Sequence, residues 1–158
     1  MVTIYCDGAD IATMTKYAID PVVGGFTTNP SLMKKSGIKN YRDFAQAVLS
    51  AIGDKPVSFE VLADDWDEME TQAHEIASWG ENVWVKIPIM NTKGESSIDL
   101  IDKLQDLRLN ITAVMTLEQL ALLRRRPITP YCFRIRRKNR RYRAKSLGHC
   151  SQSFRRKG

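Results

Sequence analysis

Along the first 122 residues, short continuous apolar runs alternate with stretches in which apolar residues recur every three or four positions. The continuous runs are rich in β-branched and aromatic residues, which predicts strands. They are VTIYC (2–6), VVGGFTTNP (22–30, a strand running into a loop), PVSFEVLA (56–63), NVWVKIPI (82–89) and LNITAVMT (109–116). The spaced pattern predicts helices over 9–18, 30–36, 41–52, 64–79 and 95–106, and another beginning at LEQLALLR.

Strand and helix thus alternate five times, at intervals of about 25 residues. This alternation is typical of parallel strands joined by helical crossovers, so the predicted fold class is α/β. Two architectures remain open, a doubly wound open sheet and a closed eight-stranded (β/α)8 barrel. No GxGxxG or Walker sequence follows the first strand, which argues against a nucleotide-binding sheet.

Polar residues interrupt each apolar strand or lie at its C-terminal end. They are Asp7, Thr27, Thr28, Asn29, Glu60, Lys86, Asn110 and Thr112. In a parallel barrel, such residues converge on the face formed by the C-terminal ends of the strands, where active sites lie. Asp7 and Asn29 could instead be helix caps or turn formers, and Thr112 could be an ordinary β-branched strand residue.

Lys86 is the polar residue that is hardest to explain as purely structural. It lies between Val85 and Ile87 on a predicted buried strand, where an ammonium group is costly unless it is paired or neutralised. A neutral buried lysine is a nucleophilic amine that can form a Schiff base with a carbonyl compound. Glu60 on the preceding predicted strand could pair with Lys86 or relay protons, directly or through one water.

Four segments resemble one known family in order and spacing, from residue 2 to about residue 122. TTNPSL (27–32), VSFEV (57–61), NVWVKIP (82–88) and NITAVMT (110–116) are similar to the transaldolase and fructose-6-phosphate aldolase family. The resemblance implies a class I aldolase on a (β/α)8 TIM barrel, with no metal and no cofactor. It also implies sugar phosphate substrates of the pentose phosphate pathway and, for an intact member, a homo-oligomer.

The resemblance matches Lys86 to a Schiff-base lysine that attacks the C2 carbonyl of a ketose phosphate, such as fructose 6-phosphate or sedoheptulose 7-phosphate. Cleavage would leave a dihydroxyacetone enamine on the enzyme. A transaldolase passes this unit to an aldose phosphate, and an aldolase releases it. Asp7 matches the acid/base residue that assists proton transfer at the substrate hydroxyl during C–C cleavage.

The remaining candidate residues match positions around the same intermediate. Asn29, with Thr27 beside it, and Asn110 match contacts to the dihydroxyacetone hydroxyls. Glu60 and Thr112 match a pair that holds a catalytic water near the imine. Glutamate at position 60 favours a transaldolase, because fructose-6-phosphate aldolases, the alternative, can carry glutamine there.

Charge is divided unevenly along the chain. Residues 124–158 hold 14 of the 24 Lys and Arg and no acid, whereas residues 1–123 hold all 18 Asp and Glu. The net charges of these two parts are therefore +14 and −8. Because the resemblance ends near Leu122, we expect residues 1–122 to form five β/α units of the barrel and residues 123–158 to be a disordered, non-homologous tail.

The basic tail has two main explanations. Read one nucleotide late, arginine codons of the CGN type become GNN, and residues 133–143 then admit SVFAGRIADTG, which resembles the sixth strand of the family. We therefore expect a frameshift and an impaired, poorly soluble enzyme. The rival is a nucleic-acid-binding arm in which arginines interleaved with Tyr131, Phe133 and Tyr142 contact phosphates and bases. A third explanation is an unrelated disordered tail, and we do not expect nucleic acid to be the partner. A partial barrel that acts as a subunit or interaction piece is a non-enzymatic alternative for residues 1–122.

Cysteine usage and hydropathy argue against other classes of protein. Cys6, Cys132 and Cys150 show no metal-ligand spacing, and their odd number argues against a disulfide framework. No signal-peptide pattern opens the chain, and no apolar run approaches the ~18–20 residues that a membrane span needs. We expect a cytoplasmic protein with no membrane partner.

Overall fold

A computed structural model describes residues 4–124 of the 158-residue chain. The strands are β1 (Ile4–Asp7), β2 (Val23–Thr27), β3 (Val57–Glu60), β4 (Val83–Pro88) and β5 (Leu109–Thr112). The helices are α1 (Ile11–Ala18), α2 (Pro30–Lys35), α3 (Tyr41–Ile52), α4 (Trp66–Ala77), α5 (Ile98–Lys103) and α6 (Leu117–Arg124). Each of these elements was predicted from the hydrophobic pattern, with ends that differ by a few residues.

The five strands form one parallel sheet in the order β1-β2-β3-β4-β5. A doubly wound sheet would reverse its strand order at a switch point, whereas a barrel adds each strand beside the preceding one. The sequential order and the curled sheet therefore confirm a partial (β/α) barrel and exclude the doubly wound alternative for residues 4–124.

The hydrophobic core lies between the sheet and the helices. Successive strand residues point to opposite faces, and the fully buried residues Phe26, Phe59, Val85 and Ile111 belong to one cluster with apolar side chains of the helices. Helix α3 contributes the face that its spacing predicts, since Phe44, Ala45, Val48 and Ile52 are buried. The residues that alternate with the core positions consequently occupy the opposite face of the sheet.

Side-chain caps fix the starts of four helices. Asp10 accepts a hydrogen bond from the backbone N–H of Thr13 at 2.7 Å and caps α1. Asn29, Asn40 and Asp65 cap α2, α3 and α4 in the same way. Each cap satisfies a backbone donor that has no partner within its own helix.

The predicted basic tail lies almost wholly outside the described residues, so its boundary, its disorder, the frameshift and the nucleic-acid-binding arm all remain predictions. Among the helices of residues 4–124, none is long and apolar enough to cross a membrane.

Candidate active site

The strand register gathers six of the eight predicted polar residues, all except Thr28 and Asn29, on the face of the sheet that points away from the helices. Glu60 on β3 is paired in register with Lys86 on β4, and Lys86 is paired with Asn110 on β5. Asp7 on β1 is likewise paired with Thr27 on β2. Residues paired in register on neighbouring strands point to the same face, so these side chains line one surface near the C-terminal ends of the strands.

Lys86 is the centre of this surface. Its side chain is buried, and Nζ lies 3.0 Å from Oε2 of Glu60, whose side chain is 21% exposed. Nζ also donates a hydrogen bond to the backbone carbonyl of Thr28 at 2.8 Å. Of the two possibilities that the sequence left open for this buried lysine, the structure therefore supports pairing with a carboxylate.

A second hydrogen-bonded group surrounds Asp7. Thr27 donates its hydroxyl to Oδ1 of Asp7 at 2.9 Å, and Nδ2 of Asn29 donates to Oδ2 at 3.3 Å. The carboxylate is thus held through both oxygens. At the same time, Oδ1 of Asn29 accepts from the backbone N–H of Leu32 and caps α2. The cap and the contact to Asp7 use different atoms of one amide, so the helix cap is confirmed and the functional role of Asn29 stays a prediction.

Asn110 and Ser58 form a third polar contact on the same face. Nδ2 of Asn110 donates to Oγ of Ser58 at 3.0 Å, although strand β4 separates their two strands. Thr112 lies two residues beyond Asn110, buried and in register with Pro88. Within residues 4–124, no direct hydrogen bond joins Thr112 to Glu60, so their predicted joint action requires a bridging water.

Behind the site, Tyr41 on α3 holds the backbone of Glu60. Its hydroxyl donates to the carbonyl oxygen of Glu60 at 2.9 Å. Burial raises the pKa of the Tyr41 hydroxyl well above its usual value, and the nearby charge of Glu60 raises it further. The phenol consequently remains a proton donor across the whole working pH range of proteins.

The family model for transaldolase/fructose-6-phosphate aldolase matches residues 4–145. The chain belongs to this family. The match runs past residue 122 into the basic segment, and the predicted boundary at residue 122 stays a prediction.

Curated relatives share the same part of the chain. A protein of Dehalococcoides mccartyi named "Probable transaldolase" is 37% identical over 121 residues, which is 75% of this chain and 54% of the relative. Proteins of the same name from Streptococcus agalactiae and Methanococcus maripaludis are each 36% identical, over 117 and 120 residues. Those stretches cover 73% and 75% of this chain and 52% and 53% of the relatives. The chain thus spans about half the length of the curated relatives it matches.

Two contributors to this transaldolase-family site were missed in the list of candidate residues. Ser58 lies two positions before Glu60 on β3, and a period-two count along the strand would have placed it on the same face. The carbonyl of Thr28 could not have been found in this way, because a backbone acceptor has no residue-type signal. Its contact with Lys86 depends on the relative positions of β2 and β4.

Proposed function

We propose that Lys86 is the nucleophile of a transaldolase-type reaction that proceeds through a Schiff base. The single observation that carries the proposal is a buried lysine whose Nζ lies 3.0 Å from a carboxylate on the polar face of the sheet. Membership of the transaldolase/fructose-6-phosphate aldolase family supports it. The substrate class is a ketose phosphate such as fructose 6-phosphate or sedoheptulose 7-phosphate.

Glu60 supplies the proton transfers at the amine. The ammonium of Lys86 passes a proton to Oε2 of Glu60, and the neutral Nζ then attacks the C2 carbonyl to give a carbinolamine. Loss of water from this adduct requires protonation of the leaving oxygen. Glu60 returns the proton directly or through a water shared with Thr112. Product release reverses these steps and consumes one water.

Asp7 acts at the carbon–carbon bond. Its carboxylate takes the proton of the C4 hydroxyl while the C3–C4 bond breaks, the aldose phosphate leaves and the electron pair moves into the enamine. The hydrogen bonds from Thr27 and Asn29 hold both carboxylate oxygens and so fix the orientation of this base. Asn29 and Asn110 contact the hydroxyls of the dihydroxyacetone unit that remains on Lys86.

Borohydride trapping tests this proposal on the 158-residue chain. Incubation with fructose 6-phosphate or dihydroxyacetone and borohydride should attach a reduced three-carbon unit to Lys86, detected by peptide mass spectrometry. Fructose 6-phosphate gives the same adduct only if the C3–C4 bond has been cleaved. Lys86→Arg keeps the positive charge but should reduce labelling to background. Labelling that persists in this variant would remove Lys86 from the mechanism.

Adding an aldose phosphate acceptor distinguishes a transaldolase, which transfers the dihydroxyacetone unit, from an aldolase, which releases it. We propose transfer, because the relatives are named as transaldolases and because position 60 carries glutamate. With fructose 6-phosphate as donor, erythrose 4-phosphate should accelerate turnover and appear in a seven-carbon ketose phosphate. Equal release of free dihydroxyacetone with and without the acceptor would instead favour the aldolase.

A further inference from the structure

The side-chain amide of Asn110 is buried, and only one of its two polar atoms has a hydrogen-bond partner within the described residues. The residue is 1% exposed; Nδ2 donates to Ser58, whereas Oδ1 has no partner within the described part of the chain. Buried polar atoms in folded proteins almost always have a partner, and an acceptor without one costs stability. This carbonyl oxygen is therefore a position at which a ligand can supply a hydrogen-bond donor.

The hydroxyl of Ser58 occupies the Nδ2 end of the Asn110 amide. An asparagine amide has nearly the same shape after a half turn about its last torsion, so only its hydrogen-bond partners distinguish the oxygen from the nitrogen. Ser58 accepts from Nδ2 at 3.0 Å and is itself buried. Oδ1 is consequently left as the available atom, and the site offers an acceptor rather than a donor.

The location of this acceptor connects it to Lys86. Asn110 is the register partner of Lys86, and Ser58 lies on the same face two residues before Glu60. A carbonyl compound bound covalently to Nζ would place the carbons next to its imine in this region. A hydroxyl on the carbon next to the imine can donate to Oδ1, whereas an alkyl group at that position cannot.

We propose that Ser58 is a positioning residue that holds the amide of Asn110 with Oδ1 toward the ligand. By doing so it makes the site selective for ketones that carry a hydroxyl on a carbon beside the carbonyl. This inference rests on the proposed function, because it assumes that the ligand is bound to Lys86.

The selectivity of borohydride trapping tests it. Dihydroxyacetone carries a hydroxyl on both carbons beside its carbonyl and so offers one to Oδ1 in either orientation, acetone carries none, and neither compound has a phosphate group. The trapping efficiency of a ketone is the initial rate at which it labels Lys86 of the 158-residue chain, divided by the ketone concentration. The selectivity is the ratio of the two efficiencies. In Ser58→Ala the ratio of dihydroxyacetone to acetone should fall roughly fivefold, the value of one net hydrogen bond.

Matched variants separate positioning from a general structural role. Asn110→Ala should lower the same ratio, and adding Ser58→Ala to it should lower the ratio no further, because Ser58 acts through Asn110. Ser58→Thr keeps the hydroxyl and should restore most of the selectivity. Far-UV circular dichroism and thermal melts check that each variant is folded.

Each outcome has a distinct meaning. Failure of dihydroxyacetone to label Lys86 in the unsubstituted chain would overturn the proposed function and this inference together. Normal labelling with an unchanged ratio in Ser58→Ala would overturn the inference alone. An equal loss of labelling with both ketones would do the same, because it would show that Ser58 only supports the fold. If Ser58→Ala does not fold, an unchanged ratio in Asn110→Ala is decisive against it.

Discussion

The buried Lys86 shows how strongly one side chain depends on its partners. The sequence identified the lysine as anomalous because it interrupts an apolar strand, and it named Glu60 as a partner. It could not determine the contact to the Thr28 carbonyl, because that contact depends on how the backbone of β2 lies against β4. The pairing of Lys86 with Glu60 was therefore predictable from residue type, whereas the backbone contact of Lys86 was not.

Glu60→Gln should destabilise the protein by leaving the Lys86 ammonium without a counter-charge. Breaking a fully buried pair costs ~3–5 kcal/mol, and the partial exposure of Glu60 reduces this, so we expect a loss of about 2 kcal/mol in the free energy of unfolding. Adding Lys86→Met should recover most of the loss, since the unpaired charge is then removed. Urea unfolding at neutral pH measures both effects.

The ion pair between Lys103 and Glu70 is the matched control. Its N–O distance is also 3.0 Å, but the side chains are 58% and 34% exposed. Glu70→Gln should therefore change the free energy of unfolding little, because solvent screens an exposed pair. Equal losses in Glu60→Gln and Glu70→Gln would show that burial does not determine the strength of the Lys86 pair.

Strands and helices were predicted well, but their ends depend on contacts that the apolar pattern does not encode. The prediction for β3 ran to residue 63, whereas the strand ends at Glu60, because the backbone N–H groups of Leu62 and Ala63 bond to Gln72 of α4 instead of the sheet. β5 ends at Thr112 because Ala113 adopts a left-handed conformation with φ of 59°. Such a conformation turns the chain out of a sheet.

Acidification should weaken α1 through its cap. The hydrogen bonds from Thr13 lower the pKa of the Asp10 carboxyl below its usual value of 3.8. A lowered folded-state pKa gives stability that is present above pH 3.8 and is lost as the pH falls through the folded value. Asp10→Asn keeps the acceptor but does not titrate.

The difference in free energy of unfolding between the unsubstituted protein and Asp10→Asn should therefore be constant from pH 5 to pH 7. As the pH falls through and below 3.8, the unsubstituted protein should lose stability relative to Asp10→Asn. Urea unfolding across this range measures the difference at each pH. A constant difference down to pH 2 would contradict a role for the ionised carboxylate.

Across the whole fold, periodicity established parallel α/β structure but left two architectures open. Strand order decides between them, and strand order arises from long-range pairing that no short window of sequence contains. The family resemblance favoured the barrel, and the sequential sheet confirms it. The uneven charge, by contrast, remains a property of the sequence, because nearly all of the 14 basic residues after residue 123 lie outside the described part of the chain.

The order of the strands also determines the order in which the site residues can come together during translation. Each strand pairs with the one made immediately before it, so the Asp7 group can form once β2 has emerged. Translation from Thr27 to Asn110 takes roughly 4–17 s, and Glu60 is synthesised before Lys86. If the strands pair in the order in which they emerge, Glu60 is already in the sheet when β4 joins it, and Lys86 is buried beside its counter-charge.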